Sequence, residues 1–406
     1  MRISTNCKFL IVKLAVSFIF IAGSILVFNI NIDSKVKAFS ANSEDVFRFP
    51  IPKGISESLW LRYVPKDNPI TKQQVALGEA LYFDKRLSAD GTVSCATCHD
   101  PALAFADSNS IAIGARGKAG TRNAPTILNA MFYESLFWDG RARTLEEQAK
   151  QPLINPAEMG FDSHDQVVAR IASIPDYQQR FSRVFGKEGI TIDTIVKAIA
   201  AFERTQLSGN SPFDRFIAGD KTALSDSQKR GWELFRNRGQ CINCHTFTPA
   251  SPFFTDSQFH NTGIATKNKN FDRLTLRVCH LNAAGPENTR ALNLLSHTDG
   301  FSELGRYLIT KRSQDIGAFK TPTLRDVELT APYMHNGSEK TLLDVIKFYN
   351  RGGERNPYLD EGMKPLNLSD QEMNDLVEFL RSLTSDDVLR KAQSLTPQTR
   401  VAIKLP

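Results

Sequence analysis

The chain has 406 residues, 41% of them hydrophobic and 23% charged, a length and composition that exclude both a disordered chain and a single small domain. Of the net charge of +6, residues 1–40 hold +4, from Arg2, Lys8, Lys13, Lys35 and Lys37 against Asp33, which leaves +2 for everything that follows. A body so close to neutral argues against a nucleic-acid-binding protein.

In chain order, Arg2 and Lys8 precede an apolar run, Leu14–Phe28, and Ala38-Phe39-Ser40 has the small-x-small pattern of a cleavage site. Residues 1–40 read as a signal peptide or, if uncleaved, an N-terminal membrane anchor. Either reading puts the rest of the chain outside the cytoplasm. From there the pattern is helical. Gln73–Phe83 spaces its apolar residues at helical intervals, and Thr191–Leu207 carries the stripe Ile192, Ile195, Val196, Ile199, Ala200, Phe202. Thr341–Tyr349 and Ser369–Leu383 repeat the pattern. Thr144–Glu147, Ser163–Gln166, Ser225–Gln228 and Ser369–Glu372 have the spacing of helix-capping pairs. Strand-like alternation is scarce. Long Gly/Pro/Asn-rich stretches lie between the helices, at Asp107–Thr126, Phe247–Gly263 and Gly285–Thr323.

Six cysteines occur, and four of them fall in two identical patterns, Cys95-Ala-Thr-Cys98-His99 and Cys241-Ile-Asn-Cys244-His245. Two thiols three residues apart add across the two vinyl groups of haem, and the histidine that follows supplies an axial nitrogen to iron. A zinc site or a redox dithiol needs no histidine at that place, and an exported chain keeps no reduced dithiol. The expected fold is therefore mainly α, with two c-type cytochrome-like haem domains and long structured loops. The expected boundaries are 41–208 for a first haem domain, 209–385 for a second, and 386–406 for a C-terminal tail.

The stretches GTVSCATCHDPALAFAD (91–107), RNAPTILNA (122–130), LFWDGRARTLEEQAKQPLINPAEM (136–159), CINCHTF (241–247), FHNTG (259–263), GAFKTPTLRDVELTAPYMHNGS (317–338) and FYNRGG (348–353) together resemble the bacterial di-haem cytochrome c peroxidase and MauG family. The resemblance runs from about residue 55 to 385. It implies a periplasmic oxidoreductase with two covalently bound haem c groups that reduces hydrogen peroxide at the first haem, the one held by His99. In the peroxidases of the family a second histidine on the loop after the first CxxCH closes the other face of that iron. Here Ser110–Gly117 contains none, and the matching place falls on Ala115. The resemblance then implies an open first haem, unless a shifted loop brings in another ligand, the nearest candidate being His164.

The spacing of Trp138, Gln148, Pro152 and Glu158 matches the family's peroxide pocket. It implies Glu158 as the acid–base group, Gln148 as a hydrogen-bonding partner of peroxide, and Trp138 as an oxidisable relay between the haems. The second haem takes His245, and its other ligand matches Tyr349, as in MauG-like members; Met334 and Met363 are the alternatives. Asn123, Thr330 and Pro332 resemble a calcium site between the haems. His260 and His335 are read as supporting residues, and Arg122, Arg141 and Arg325 as partners of haem propionates. Cys279 and the insertion around Leu274–Asn293 match no family feature.

The electron donor divides the functional reading. A small cytochrome c or cupredoxin would make the chain a conventional peroxidase. A protein substrate oxidised at its own residues would make it MauG-like, although MauG's surface tryptophan two residues before the second CxxCH is replaced here by Gly239. A non-enzymatic di-haem electron carrier is the reading from a different class. A homodimer is compatible with all of these.

Overall fold

The computed structural model describes residues 49–283, 295 and 298–395. The expected targeting segment at 1–40, the middle of the insertion and the last residues of the tail lie outside them. Among the described residues the chain is mainly helical. The first half contains α1 (Glu57–Tyr63), α2 (Lys72–Phe83), a single turn α3 (Cys95–Cys98), α4 (Leu145–Ile154), α5 (His164–Ala172), α6 (Pro175–Phe185) and α7 (Ile192–Glu203). The second contains α8 (Pro212–Ile217), α9 (Asp226–Arg236), α10 (Phe271–Ala283), α11 (Tyr307–Thr310), α12 (Leu342–Asn350), α13 (Asp370–Arg381) and α14 (Asp386–Ser394). Two short strands, β1 (Phe259–His260) and β2 (Phe319–Lys320), pair antiparallel with Phe259 opposite Lys320.

The helices start where the capping pattern put them. Thr144, Ser163, Ser225 and Ser369 each accept a hydrogen bond from the backbone N–H three residues on, at 3.1, 3.3, 3.2 and 3.4 Å. Ser225 and Ser369 complete the reciprocal bond with the side chains of Gln228 and Glu372. Each such cap stabilises its helix by about 1 kcal/mol.

Two of the cores among the described residues are each built on a pair of helices. The first is built on α2 and α7, where Leu77, Leu81, Ile195, Ile199 and Phe202 interleave with Tyr177 and Phe181 of α6. The second is built on α9 and α13, where Phe235, Leu376, Phe379 and Leu380 surround Phe213 and Phe254. The same device brings each pair together. A Cβ on Gly78 of α2 would run into the Ala198 carbonyl of α7, and a Cβ on Gly231 of α9 into the Asp375 carbonyl of α13. Only glycine lets the two backbones approach that closely. Each glycine helix leads into one CxxCH, so each motif is preceded by the same kind of helix pair.

Within the expected tail, residues 386–394 form the helix α14. Val388 of α14 packs on the first core, and the Lys391 ammonium lies 5.1 Å from the Phe105 ring centre. The segment that follows the second core thus lies against the first.

Candidate active site

Both CxxCH segments fold so that the histidine is aimed. The His99 N–H donates to the Cys95 carbonyl at 2.9 Å, and the His245 N–H to the Cys241 carbonyl at 2.9 Å, which closes a tight turn over each pair of thiols. Nδ1 of His99 donates to the Pro125 carbonyl at 2.9 Å, with the Phe105 carbonyl at 3.3 Å. Nδ1 of His245 donates to the Phe254 carbonyl at 3.0 Å. A carbonyl can only accept, so the proton is fixed on Nδ1 and the lone pair is left on Nε2, the arrangement that an iron-ligating imidazole needs. Burial lowers the pKa of both rings, which keeps them neutral.

A cavity of about 1090 Å³ opens beside the first motif. Cys95, Cys98 and His99 form part of its wall, and Trp138, Gln148, Pro152 and Glu158 form another part. The sequence-predicted peroxide pocket is therefore brought together in one place. Gln148 and Pro152 lie one turn apart on α4. Because Pro152 has no N–H, the Gln148 carbonyl loses its bond within the helix. Glu158 follows on the loop after α4, its Oε1 accepting from Asn155 Nδ2 at 2.6 Å. Burial raises its pKa, against Arg141 and the Asn155 bond, which lower it.

The Ala115 N–H donates to the Glu158 carbonyl at 2.7 Å, so the loop after the first CxxCH lies directly against the loop that carries Glu158. Ala115 is buried within the first core. His99 is the one imidazole among the described residues of the cavity wall. His164 does not line it, and its Nε2 is bonded to the Lys150 carbonyl at 3.0 Å.

Trp138 is held at both ends. Its Nε1–H donates to the Asn123 carbonyl at 2.9 Å, and its own carbonyl accepts from the Lys320 N–H at 2.8 Å. Its ring meets His335 edge-on, with centroids 6.4 Å apart. His335 is buried, stacks on Phe319 at 3.5 Å, and bonds Glu303 through Nε2 at 2.6 Å. His260 lies between Asp256 at 2.9 Å and Asp360 at 2.6 Å. Hydrogen bonding to Asp256, then to Cys244 and Asp360, pushes its pKa up to about 11. Cys244, Asp256 and His260 are close enough to one another to hold an ion, but Cys244 belongs to the haem-attachment pair, so this is not read as a metal site.

Tyr349 lies on α12. Burial raises the pKa of its phenol, and the ring lies near Cys241 and Cys244. Asn123 donates from Nδ2 to the Asn109 carbonyl at 3.1 Å, and Thr330 from Oγ1 to the Val327 carbonyl at 3.2 Å. Pro332 follows a cis peptide bond.

One expectation is corrected. Arg325 does not wait for a propionate. It is fully buried, with its guanidinium spent on both carboxylate oxygens of Asp214, at 2.6 and 2.8 Å, and on the Pro252 carbonyl. Arg122 and Arg141 do line the cavity, and they share Asp139 at 2.7 and 3.0 Å.

Buried ionisable residues of the wall that escaped the sequence reading include Glu303, Lys320, whose Nζ sits 4.2 Å from the Tyr133 ring centre, and Glu203. Glu203 falls four residues after Ile199, on the apolar stripe of α7, and a charge on a buried stripe was the available signal. The insertion also gains a place. Leu274 and Val278 of α10 form a further core with Phe271, Leu304 and Tyr307, next to the segment whose Phe301, Leu308 and Ile309 line the cavity.

Two thiol pairs, each with an aimed imidazole, and a large cavity beside the first define a di-haem c-type cytochrome with a reactive site. Comparison with known proteins agrees. The family model described as "Di-haem cytochrome c peroxidase" matches residues 72–222. Cytochrome-c peroxidase IdrP1 of Pseudomonas sp. (strain SCT) is 37% identical over 333 residues, 80% of this chain and 84% of the relative. Methylamine utilization protein MauG of Methylophilus methylotrophus is 35% identical over 348 residues, 85% of this chain and 90% of the relative. A solved MauG-like protein associated with microbial copper homeostasis superposes with a TM-score of 0.65 at 30% identity, covering 86% of this chain and 97% of that one. The chain belongs to the di-haem cytochrome c peroxidase and MauG family. It is an oxidoreductase of the peroxidase type, and haem c is its cofactor.

Proposed function

We propose that this protein reduces hydrogen peroxide to water at the haem held by Cys95, Cys98 and His99, and draws the two electrons from an external donor through the haem held by Cys241, Cys244, His245 and Tyr349. The observation that carries this is the common cavity: Gln148, Glu158 and Trp138 share a wall with the first haem-attachment motif, and no second imidazole is on it among the described residues. Bound haem supplies an iron that exchanges electrons with peroxide. The protein's own part is the handling of protons. Glu158 takes the proton from the near oxygen of peroxide and returns it to the far one, so that the far oxygen leaves as water. Its raised pKa suits a group that must both accept and donate. Gln148 holds peroxide by hydrogen bonding. Trp138, fixed by its bonds at the indole and the backbone, is an oxidisable ring on the wall and serves as the relay to the second haem.

The domain reading is retained as part of this proposal, with division at 208/209 and the two haems one to each side. A hard cation at Asn123, Thr330 and Pro332 belongs to it as well; carbonyl and amide oxygens suit calcium. The proposed location is the periplasm, reached by the segment 1–40. No helix among the described residues is long and apolar enough to cross a membrane. A MauG-like reading, in which the donor is a residue of a partner protein, is favoured by Ala115 and by a tyrosine rather than a methionine beside the second thiol pair. A small cytochrome c or cupredoxin is the donor in the conventional reading.

The test is peroxide consumption by the haem-loaded protein with a reduced small cytochrome as donor, in wild type and Glu158→Gln. A loss of about 100- to 10,000-fold at unchanged haem content is expected. Equal rates would remove Glu158 from the mechanism.

A further inference from the structure

We propose that Glu203 is a second proton-holding carboxyl of this site, one that gives up its proton when the iron of the first haem loses an electron and regains it when the electron returns. The inference rests on the placing of the first haem in the cavity beside Cys95.

Glu203 lines that cavity and is only 6% exposed. Its carboxyl makes no hydrogen bond or ion pair among the described residues. The adjacent cation does not serve it, because both Nη atoms of Arg204 are spent on Glu146, at 2.7 and 3.0 Å. The charged and titratable groups around it are Arg204 on its own helix, Glu146 from α4, Tyr82 from α2 and Cys95 from α3. Cys95, Glu158 and Glu203 line the same cavity, so both carboxyls face the space beside the haem-attachment edge.

An unpaired carboxylate so nearly buried is costly, and a neutral acid is not. Burial, with Arg204 opposing and Glu146 adding, raises its pKa to about 8. A leucine would fill the same place on the apolar stripe without that cost. What the carboxyl adds is a charge that can appear on demand. Oxidation of the iron leaves one more positive charge at the cavity, and in a medium of low dielectric a nearby carboxylate compensates it strongly. The step balances. With haem bound, one electron lost from the iron to the oxidant of a redox titration would be matched by one proton lost from Glu203 to solvent through the cavity, and reduction would reverse both. Glu203 acts by charge rather than by touching peroxide, and is a positioning residue rather than a catalytic one.

The linkage has a definite sign. Glu203 has a higher pKa beside ferrous than beside ferric iron. Between those two values the midpoint potential of the first haem falls as pH rises, by up to about 59 mV for each tenfold fall in proton concentration.

The experiment is a redox titration of the haem-loaded protein at a series of pH values, following the first haem by its own visible and electron-paramagnetic signals, in wild type and Glu203→Gln. The expected result is a sloping potential in wild type and a flat one in Glu203→Gln across the same interval, with the two proteins agreeing at the acid end. An unchanged slope in Glu203→Gln with a normal first-haem spectrum overturns the inference alone. A protein with no distinct first-haem signal defeats instead the reading on which it rests. Infrared difference spectra of the wild type, oxidised minus reduced, remove any dependence on the variant's folding. A protonated-carboxyl band lost on oxidation and shifted in Glu203→Asp is expected, and no carboxyl change on oxidation overturns the proposal.

Discussion

Glu158 shows what the structure adds at the scale of one residue. In sequence it is a carboxylate two residues after a proline, and only its spacing from Trp138 and Gln148 marks it. In the fold, burial outweighs Arg141 and the bond from Asn155 and turns it into an acid whose pKa stands above the ordinary carboxylate value. As a base it works only when ionised. The rate of reaction of peroxide with the all-ferric protein therefore rises with pH through that raised pKa, and in Glu158→Gln the reaction is slower and the rise is lost. Stopped-flow traces at several pH values check this, and a rise that survives in the variant assigns it to another group. Tyr349 makes a second prediction at this scale. If its oxygen is the other ligand of the second haem, Tyr349→Met exchanges a hard anionic donor for a thioether, and the potential of that haem rises. A potential that does not move would show that Met334 or Met363 already holds the place.

Between helices, the controlling feature is the close approach at Gly78 and at Gly231. Alanine at either place drives a methyl group into a facing carbonyl. The cost is that of an overpacked core, about 1–3 kcal/mol. Gly78→Ala is expected to lower the melting temperature read from the first haem's absorption, and Gly231→Ala that read from the second's. Unaltered melting would mean that the helix pairs separate without loss. At this scale the sequence was most legible. The four capping pairs and the stripe of α7 follow from local chemistry, and each is found where the pattern placed it. The glycines were harder to read, because nothing in the residues around Gly78 says that a backbone from 120 positions further on will lie against it. The destination of α14 was hidden for the same reason: its contact with Phe105 joins opposite ends of the chain.

For the whole molecule, the two CxxCH motifs made the cofactor and the family legible, since their chemistry is local and complete within five residues each. The cavity was legible only through resemblance. Lys320, Glu203 and the stretch from Thr298 to Ile309 that lines part of it come from distant segments, and Arg325, which was expected at a haem propionate, is engaged by Asp214. Long-range pairing decided each of these, and local pattern carries no record of it. The same arrangement supports the central proposal, that the first haem is open on the side of Glu158. His99 is the one imidazole on the described wall, Ala115 stands in the loop against Glu158, and His164 is bonded elsewhere.

The most direct test is to add one equivalent of hydrogen peroxide to the all-ferric, haem-loaded protein and follow its visible and near-infrared spectrum. Rapid conversion to a long-lived, more oxidised form without any prior reduction is the predicted result. A spectrum that stays unchanged until the second haem has been reduced would contradict the account, because it would mean that a ligand closes the first haem after all.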